Sequence, residues 1–383
     1  MEDRLILFPR TEKALFTRRL NRFVLECVLN GTPIQAHLPN PGRLWELLLP
    51  GSPVCLVEND SPQRKTKYTA VAVLREGIPV FLHTQETNRA FEWLLRRRAV
   101  PGMEHIDGIE REKTVGKSRF DFLLHEGPRP FYLEVKSCTL FGDRIAMFPD
   151  AVTARGKRHL MALSRIPAAQ GERGVLFFIQ WPRARFFLPD YHTDPDFAET
   201  FLDVRDKIRI QAIAATWNGD LSLSPGVREL TIPWDLIRRE AKDRGSYILI
   251  LRLDRGVSIP AGKLGRVSFE KGYYLYVGSA RRGLKGRIGR HLRKRKTLFW
   301  HIDYLRNEAD KVIALPIRSS FEDECDLAAD LDEIAEGSIP GFGASDCACE
   351  SHLFRMADSP LRSPRFIDLL LDYRIRRLEK ILS

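Results

Sequence analysis

The sequence predicts a multidomain α+β protein: a small N-terminal β domain, a central α/β domain and a C-terminal α/β unit. Three observations carry this expectation. The chain has 383 residues, more than one ordinary hydrophobic core accommodates, and calls for two or three domains. Short apolar runs separated by Gly, Pro and Asn clusters fill residues 14–82, whereas helical and strand patterns alternate from Thr87 onward. A third unit opens after residue 245 with two Gly-headed apolar segments and the densest basic run of the chain.

In chain order, RFVLECVLNG, TPIQAHLPNPG, SPVCLVEND, YTAVAVLREG and IPVFLH read as short strands of a small sheet or barrel. ETNRAFEWLLRRRAV reads as a helix from Thr87, HEGPRP as a hairpin turn, residues 153–165 as a basic helix and GVLFFIQW as a buried strand. WDLIRREAKDRG reads as a connecting helix whose end Gly245 marks. GSYILILRL and GYYLYVGSA read as two apolar strands, and FIDLLLDYRIRRLEKILS as an amphipathic helix packed on that last unit. The sequence shows neither an internal repeat nor a low-complexity tract.

Hydrophobic residues make up 44% and charged residues 29%, the balance of a globular chain. Sixty-one Lys and Arg against fifty Asp and Glu leave a formal charge of +11, which favours polyanions such as nucleic acid. Ribosomal or membrane-surface contacts would satisfy that charge equally. The start, MEDRLILFPR, lacks the pattern of a secretory signal, and no stretch of about 18 uncharged apolar residues occurs that would span a bilayer. Cys27, Cys55 and Cys138 sit in apolar stretches, as buried reduced thiols do. The expectation is a cytoplasmic protein without a membrane partner.

In RFDFLL and FYLEVKS alternate side chains share a face. Phe131, Leu133 and Val135 then point one way, and Tyr132, Glu134 and Lys136 the other; Phe120 and Phe122 join the inward set and leave Asp121 opposite. A hairpin through HEGPRP brings Asp121 towards Glu134, with Lys136 about 7 Å farther along its strand. A solvent-facing charge cluster would also explain the pattern. The chemistry that wants two carboxylates and an amine is phosphodiester hydrolysis: the carboxylates hold Mg²⁺ (or Mn²⁺), and the lysine orients water or stabilises developing charge. Asn88 and Glu92 share a helix face, and Glu92 is a candidate further ligand. The Gln180 amide, at a strand end, is a candidate to position phosphate or water.

AHLPNPGR, NDSPQRKTKY, SRFDFLL with FYLEVKSCTL, and MFPDAVTARGKRHL, in that order over residues 14–215, resemble the sugar fermentation stimulation protein family. The resemblance implies an OB-like barrel over residues 1–83 and a nuclease-like domain of the PD-(D/E)XK type over 84–235. By it, Asp121, Glu134 and Lys136 match the catalytic positions, Asp121 and Glu134 hold the metal, and Glu92 matches the helical acidic position. Phe120, not proline, precedes Asp121. Pro149 and Asp150 lie after Glu-x-Lys, in the wrong order for that motif, so Asp150 reads as a helix cap. The implied function is metal-dependent nucleic-acid hydrolysis with DNA as partner in preference to RNA. The alternative is a non-catalytic DNA-binding regulator of sugar (maltose) utilisation genes. No sugar-sized site with paired acids stands out.

Around this centre, Arg155, Lys157, Arg158 and His159 are candidate phosphate contacts or a solvated helix face. His37, Asn40 and Arg43 flank the PNPGR turn, and Arg64, Lys65 and Lys67 precede Tyr68; with Trp45, Tyr68 is a candidate base-stacking residue or simple core.

The last unit, residues 236–383, carries nine Lys or Arg within residues 281–296. Leu284, Ile288 and Leu292 form one apolar stripe on a helix, leaving Arg287, Arg290, His291 and Lys294 for phosphates or solvent. GSY at 245–247, YVG at 276–278, Arg287, His291 and Glu324 resemble the GIY-YIG nuclease superfamily. That resemblance implies Tyr276 near the attacking water, Arg287 on phosphate and Glu324 on the metal, with binding alone as the other outcome. Ser246 stands where Ile is usual, and Tyr247 and Tyr276 lie farther apart than that family's short hairpin. Cys325, Cys347, Cys349 and His352 offer zinc chemistry, but Cys-x-Cys is tighter than the usual gap, so buried thiols are the expectation.

Overall fold

Strands Glu12–Asn21, Val24–Leu29, Thr32–His37, Pro53–Glu58, Tyr68–Arg75 and Ile78–Phe81 curl into a barrel in the computed structural model, which describes residues 4–59 and 65–382. Five of them close a ring, because Thr32–His37 pairs parallel with Tyr68–Arg75, Ala36 opposite Tyr68 and His37 opposite Thr69. Leu25, Cys27 and Leu29 alternate inward along one strand, the period that a half-buried sheet requires. Asn30 and Gly31 both take positive φ, 51° and 79°, as a two-residue hairpin turn demands. The first strand escapes the sequence pattern, since register shifts at Phe16/Arg18 and Arg19/Asn21 break its alternation.

The barrel belongs to the same compact unit, Met1–Trp234, as the central domain. There six strands run in the order Arg228–Glu229, Arg209–Ala214, Glu172–Ile179, Arg129–Cys138, Ser118–Glu126, Gly108–Val115. Arg129–Cys138, Glu172–Ile179 and Arg209–Ala214 are mutually parallel, joined through helices Ala154–Arg165 and Pro195–Asp203. Such strands are covered on both sides, so Val175–Ile179 is an unbroken buried run. Helix Thr87–Arg96 lays Ala90, Phe91, Leu94 and Leu95 on Phe122, Leu124, Leu133 and Val135. Phe177, Phe187, Phe197 and Phe201 fill another aromatic cluster.

The second unit, Asp235–Ser383, is built on an antiparallel sheet ordered Lys311–Arg318, Gly245–Leu253, Gly272–Ala280, Leu353–Met356, Gly337–Ser338. Helices Leu284–Leu292, His301–Glu308, Glu324–Asp332 and Pro364–Leu371 accompany it. Two expectations change here. Gly245 does not end a helix: the helix stops at Glu240 and Gly245 starts a strand at φ 126°, where a Cβ would clash with the neighbouring backbone. Leu292 is 39% exposed rather than buried, because its helix ends there and the apolar stripe stops at Ile288. Lys294 therefore lies beyond the helix. Among the described residues no helix is long and apolar enough to cross a membrane.

Candidate functional site

The register that sets Leu133 opposite Phe122 carries Asp121 to the level of Glu134 and Val135. Asp121 Oδ2 accepts from the Val135 backbone N–H at 2.8 Å, and Oδ1 from Asn88 Nδ2 of helix Thr87–Arg96, also at 2.8 Å. Glu134 is only 3% exposed; its Oε1 receives both Lys136 Nζ and His159 Nδ1, while its buried Oε2 has no hydrogen-bond partner. His159 reaches it because Gly156, His159, Leu160 and Leu163 form the buried stripe of helix Ala154–Arg165. Asp121, Glu134 and Lys136 line one cavity of about 430 Å³, together with Asn40, Asn88 and Arg155. Asn40 is 3% exposed, and its Nδ2 is a second buried polar atom without a partner.

Electrostatics separate the two acids. Burial, then the charge of Glu134, pushes the Asp121 carboxyl above its ordinary range. Burial works the same way on Glu134, but hydrogen bonding to His159 and the Lys136 charge overcome it and hold this carboxyl below its usual value. The donor set, two carboxylates with one buried oxygen unsatisfied, fits a hard divalent cation.

Phe120 is buried, as Phe122 is, and its ring stands edge-on to His159 at 6.1 Å. Glu92 does not line the cavity: it pairs with Arg96 at 2.6 Å and lies 3.7 Å from Arg111, so Thr87 and Asn88 are that helix's contributions. Both ends of the Gln180 amide are engaged, donating to Ser137 Oγ and accepting from Trp217 Nε1 at 2.7 Å. Asp150 is not the helix cap: Thr153 caps, and Asp150 accepts from the Leu44 N–H at 2.7 Å.

Arg43 is likewise occupied, donating to the Asp150 carbonyl and Thr193 Oγ1 while lying over Trp45 at 4.4 Å. Lys67 pairs with Glu58 at 2.9 Å, Tyr68 is 8% exposed, and His37 faces Phe23 at 6.5 Å, so none of these joins the cavity. Arg155 lines it; Lys157 and Arg158 form no ion pair among the described residues. Arg64 lies outside the described residues.

In the second unit a cavity of about 510 Å³ gathers Tyr247, Tyr276, Arg287, His291 and Glu324. The gap between the tyrosines is no obstacle. Their strands pair directly, Tyr247 opposite Gly278 and Leu249 opposite Tyr276, and the intervening chain folds out as its own hairpin, Val257–Pro260 with Arg266–Phe269. The rings stand 6.4 Å apart, and Tyr247 Oη lies 3.0 Å from His291 Nε2. Burial, followed by the charge of Lys296, pushes the His291 imidazole down to about 4, and burial raises both tyrosine hydroxyls, so all three are neutral near pH 7. Burial opposes ionisation of Glu324, but the His352 imidazole beside it and the hydrogen bond from Ser279 hold it below its ordinary value. Arg287 is exposed at the rim, whereas Arg290 is bound to the buried Asp303 at 2.9 and 3.0 Å. Lys294 is exposed.

Comparison with known proteins fits this layout. Residues 17–82 match the SfsA N-terminal OB domain, 85–220 the sugar fermentation stimulation protein RE domain, and 246–371 a domain of unknown function, DUF123. A sugar fermentation stimulation protein homolog of Clostridium kluyveri is 37% identical over 211 residues, 55% of this chain and 91% of that protein. The chain belongs to the sugar fermentation stimulation protein family. A Clostridium perfringens homolog is 38% identical over 188 residues, 49% of this chain and 82% of its own. The solved structure of Pyrococcus furiosus SfsA in complex with Ca²⁺ covers 60% of this chain and 98% of its own, with 27% identity and a TM-score of 0.54. DUF123 supplies the GIY-YIG-like part.

Sequence reasoning undervalued His159 and Asn40. The first was legible as a polar residue on an apolar helix stripe; the second was legible only from its turn, because its burial depends on the central domain.

Proposed function

We propose that this chain is a nuclease that hydrolyses phosphodiester bonds at Asp121, Glu134 and Lys136 with Mg²⁺ or Mn²⁺, acting on DNA in preference to RNA. One observation carries the reading: the buried Glu134 Oε2 has no protein partner inside the cavity that also holds Asp121. A buried carboxylate oxygen without a partner is costly, and a cation bound beside Asp121 would satisfy it. Asp121 and Glu134 would hold that cation through oxygen, as Mg²⁺ requires. The bound ion supplies polarisation of the phosphoryl oxygen and a water of lowered pKa.

The remaining work falls to the chain. Asn88 and the Val135 N–H fix the Asp121 carboxylate, and His159 fixes Glu134. Lys136, half-buried beside Glu134, can donate to a non-bridging phosphate oxygen as charge develops. Arg155 lines the cavity, where a guanidinium holds the phosphodiester, and the OB barrel supports nucleic acid as the partner. The Ca²⁺ complex of the Pyrococcus furiosus relative supports a hard oxygen-bound cation. The cavity of Tyr247, Tyr276, Arg287 and Glu324 is read as a second hydrolytic centre on the same logic, Glu324 holding metal and Arg287 the phosphate.

The test uses the full chain on single- and double-stranded DNA and RNA, with Mg²⁺, Mn²⁺ or chelator. Asp121→Ala combined with Glu324→Ala should abolish metal-dependent cleavage, and each single variant should leave the other centre's products. Binding without cleavage of any substrate in wild type would replace this reading with the non-catalytic regulator.

A further inference from the structure

Cys325, Cys347, Cys349 and His352 contradict the expectation of buried thiols: Cys325 is exposed and Cys347 and Cys349 are half-buried, yet their sulfurs and a His352 nitrogen all lie within 4.8 Å of one another. Four such atoms around tetrahedral zinc stand about 3.5–3.8 Å apart, given Zn–S near 2.3 Å and Zn–N near 2.1 Å. Cys347 Sγ is already 3.4 Å from His352 Nε2. The group has no local reason to converge. Cys325 sits in the first turn of helix Glu324–Asp332, and the other three lie at the end of a loop. That loop is fastened by Gly341 N–H to the Glu350 carbonyl and His352 N–H to the Phe342 carbonyl, both 2.8 Å.

The opposite ring nitrogen supplies a second observation. His352 is 2% exposed, and its Nδ1, buried and without a hydrogen-bond partner, lies 3.3 Å from Oε1 of Glu324, which lines the cavity with Tyr276 and Arg287. We infer that the three thiolates and His352 Nε2 bind a structural Zn²⁺, and that the metal-held His352, through Nδ1–H, orients Glu324. A carboxylate receiving the outer N–H of a metal-ligating histidine is a recurrent arrangement, because it fixes the tautomer and ring orientation. Glu324 is then a positioning partner of the zinc as well as a cavity residue. The Cys-x-Cys spacing is accommodated because Cys325 comes from a separate element, which leaves the short loop only part of the tetrahedron. The site is soft and sulfur-rich, unlike the oxygen site of Asp121 and Glu134, and it does not depend on the chain cleaving nucleic acid.

The experiment measures metal in the full chain, purified under reducing conditions, by elemental analysis, and then replaces zinc with Co²⁺. About one tightly held zinc per chain is expected. Cobalt should give the intense visible absorption of a tetrahedral site with thiolate charge transfer, which an oxygen site does not produce. C347S and C349S should each lose both signals, and E324A should keep the zinc but bind it about 10–100-fold more weakly. A reduced wild-type chain that retains no zinc and gives no cobalt–thiolate band overturns the site, without any variant having to fold. Equal metal in the cysteine variants overturns the ligand assignment, and unchanged zinc affinity in E324A overturns the link to Glu324.

Discussion

Replacing Glu134 by Gln removes one charge while keeping the shape of the side chain, and it acts on the atom that carries the functional reading. Without metal two effects oppose each other. Breaking a buried charge pair by removing one partner costs about 3–5 kcal/mol. Relieving the desolvation of a 3% exposed carboxylate with one unpartnered oxygen offsets part of that, leaving a loss of about 1–3 kcal/mol. With metal the two proteins diverge. A ligand that binds only the folded state stabilises it by about 2.7 kcal/mol at a hundredfold excess over Kd. For a unit the size of Met1–Trp234 that amounts to a rise of about 5–11 °C in Tm. A thermal melt titrated with Mg²⁺ should show this rise in the transition of Met1–Trp234 in wild type and none in that transition in Glu134→Gln, which should also lose cleavage at the central site. An equal Mg²⁺ shift with the same midpoint in both proteins would refute the assignment.

Asp303 is fully buried and accepts from Arg290, Lys296 and the N–H groups of Phe299 and Trp300; Asp303→Asn should cost about 3–5 kcal/mol in urea unfolding. Lys294→Ala should leave stability unchanged and lower the slope of log affinity against log salt by about 1. The folded pKa of His291, about 4, lies below the ordinary value near 6.5, so the unfolded chain takes up the proton first. Its contribution is complete above about pH 6.5 and falls by up to about 1.4 kcal/mol per unit as pH drops to 4; His291→Gln should flatten that part of a stability–pH curve. Arg287→Ala should weaken nucleic-acid binding measured without divalent cation, whereas Glu324→Ala should not, as read by fluorescence anisotropy of the full chain with either substitution in the presence of chelator.

Local periodicity and turn chemistry made the hairpin, the basic helix and the buried parallel strand readable, and strand alternation placed Glu134 beside Lys136. What stayed hidden depends on partners distant in sequence. Arg43 reads as a free cation beside a turn, but its carbonyl partner belongs to Asp150, 107 residues away. Glu92 and Asn88 share a helix face; the i,i+4 pairing of Glu92 with Arg96 was legible locally, but the approach of Arg111 and the bond from Asn88 to Asp121 come from elements distant in sequence. Alternation held at Phe120, Asp121 and Phe122, but nothing local shows that His159 of a later helix stands against the Phe120 ring. In the second unit, separation along the chain was a poor guide to spacing, because an inserted hairpin leaves the pairing of the Tyr247 and Tyr276 strands intact.

The net charge of +11 overstates the cationic surface open to a polyanion. Arg43, Lys67 and Arg290 are held by carbonyls or carboxylates, and Lys296 by Asp303. In the first unit Arg155 lines the central cavity, and Lys157 and Arg158 share its helix; in the second Arg287 lines the other cavity, with Arg293, Lys294 and Arg295 exposed just beyond its helix. Each cavity also holds carboxylate: Asp121 and Glu134 in one, Glu324 in the other. A basic rim around an acidic centre is a poor design for binding alone, since the phosphate it attracts is repelled at the middle. A divalent cation reverses the sign of that centre while leaving the rim unchanged. On the proposed reading the metal is therefore part of substrate recognition as well as of chemistry, and the carboxylates that weaken simple binding are the groups that make hydrolysis possible.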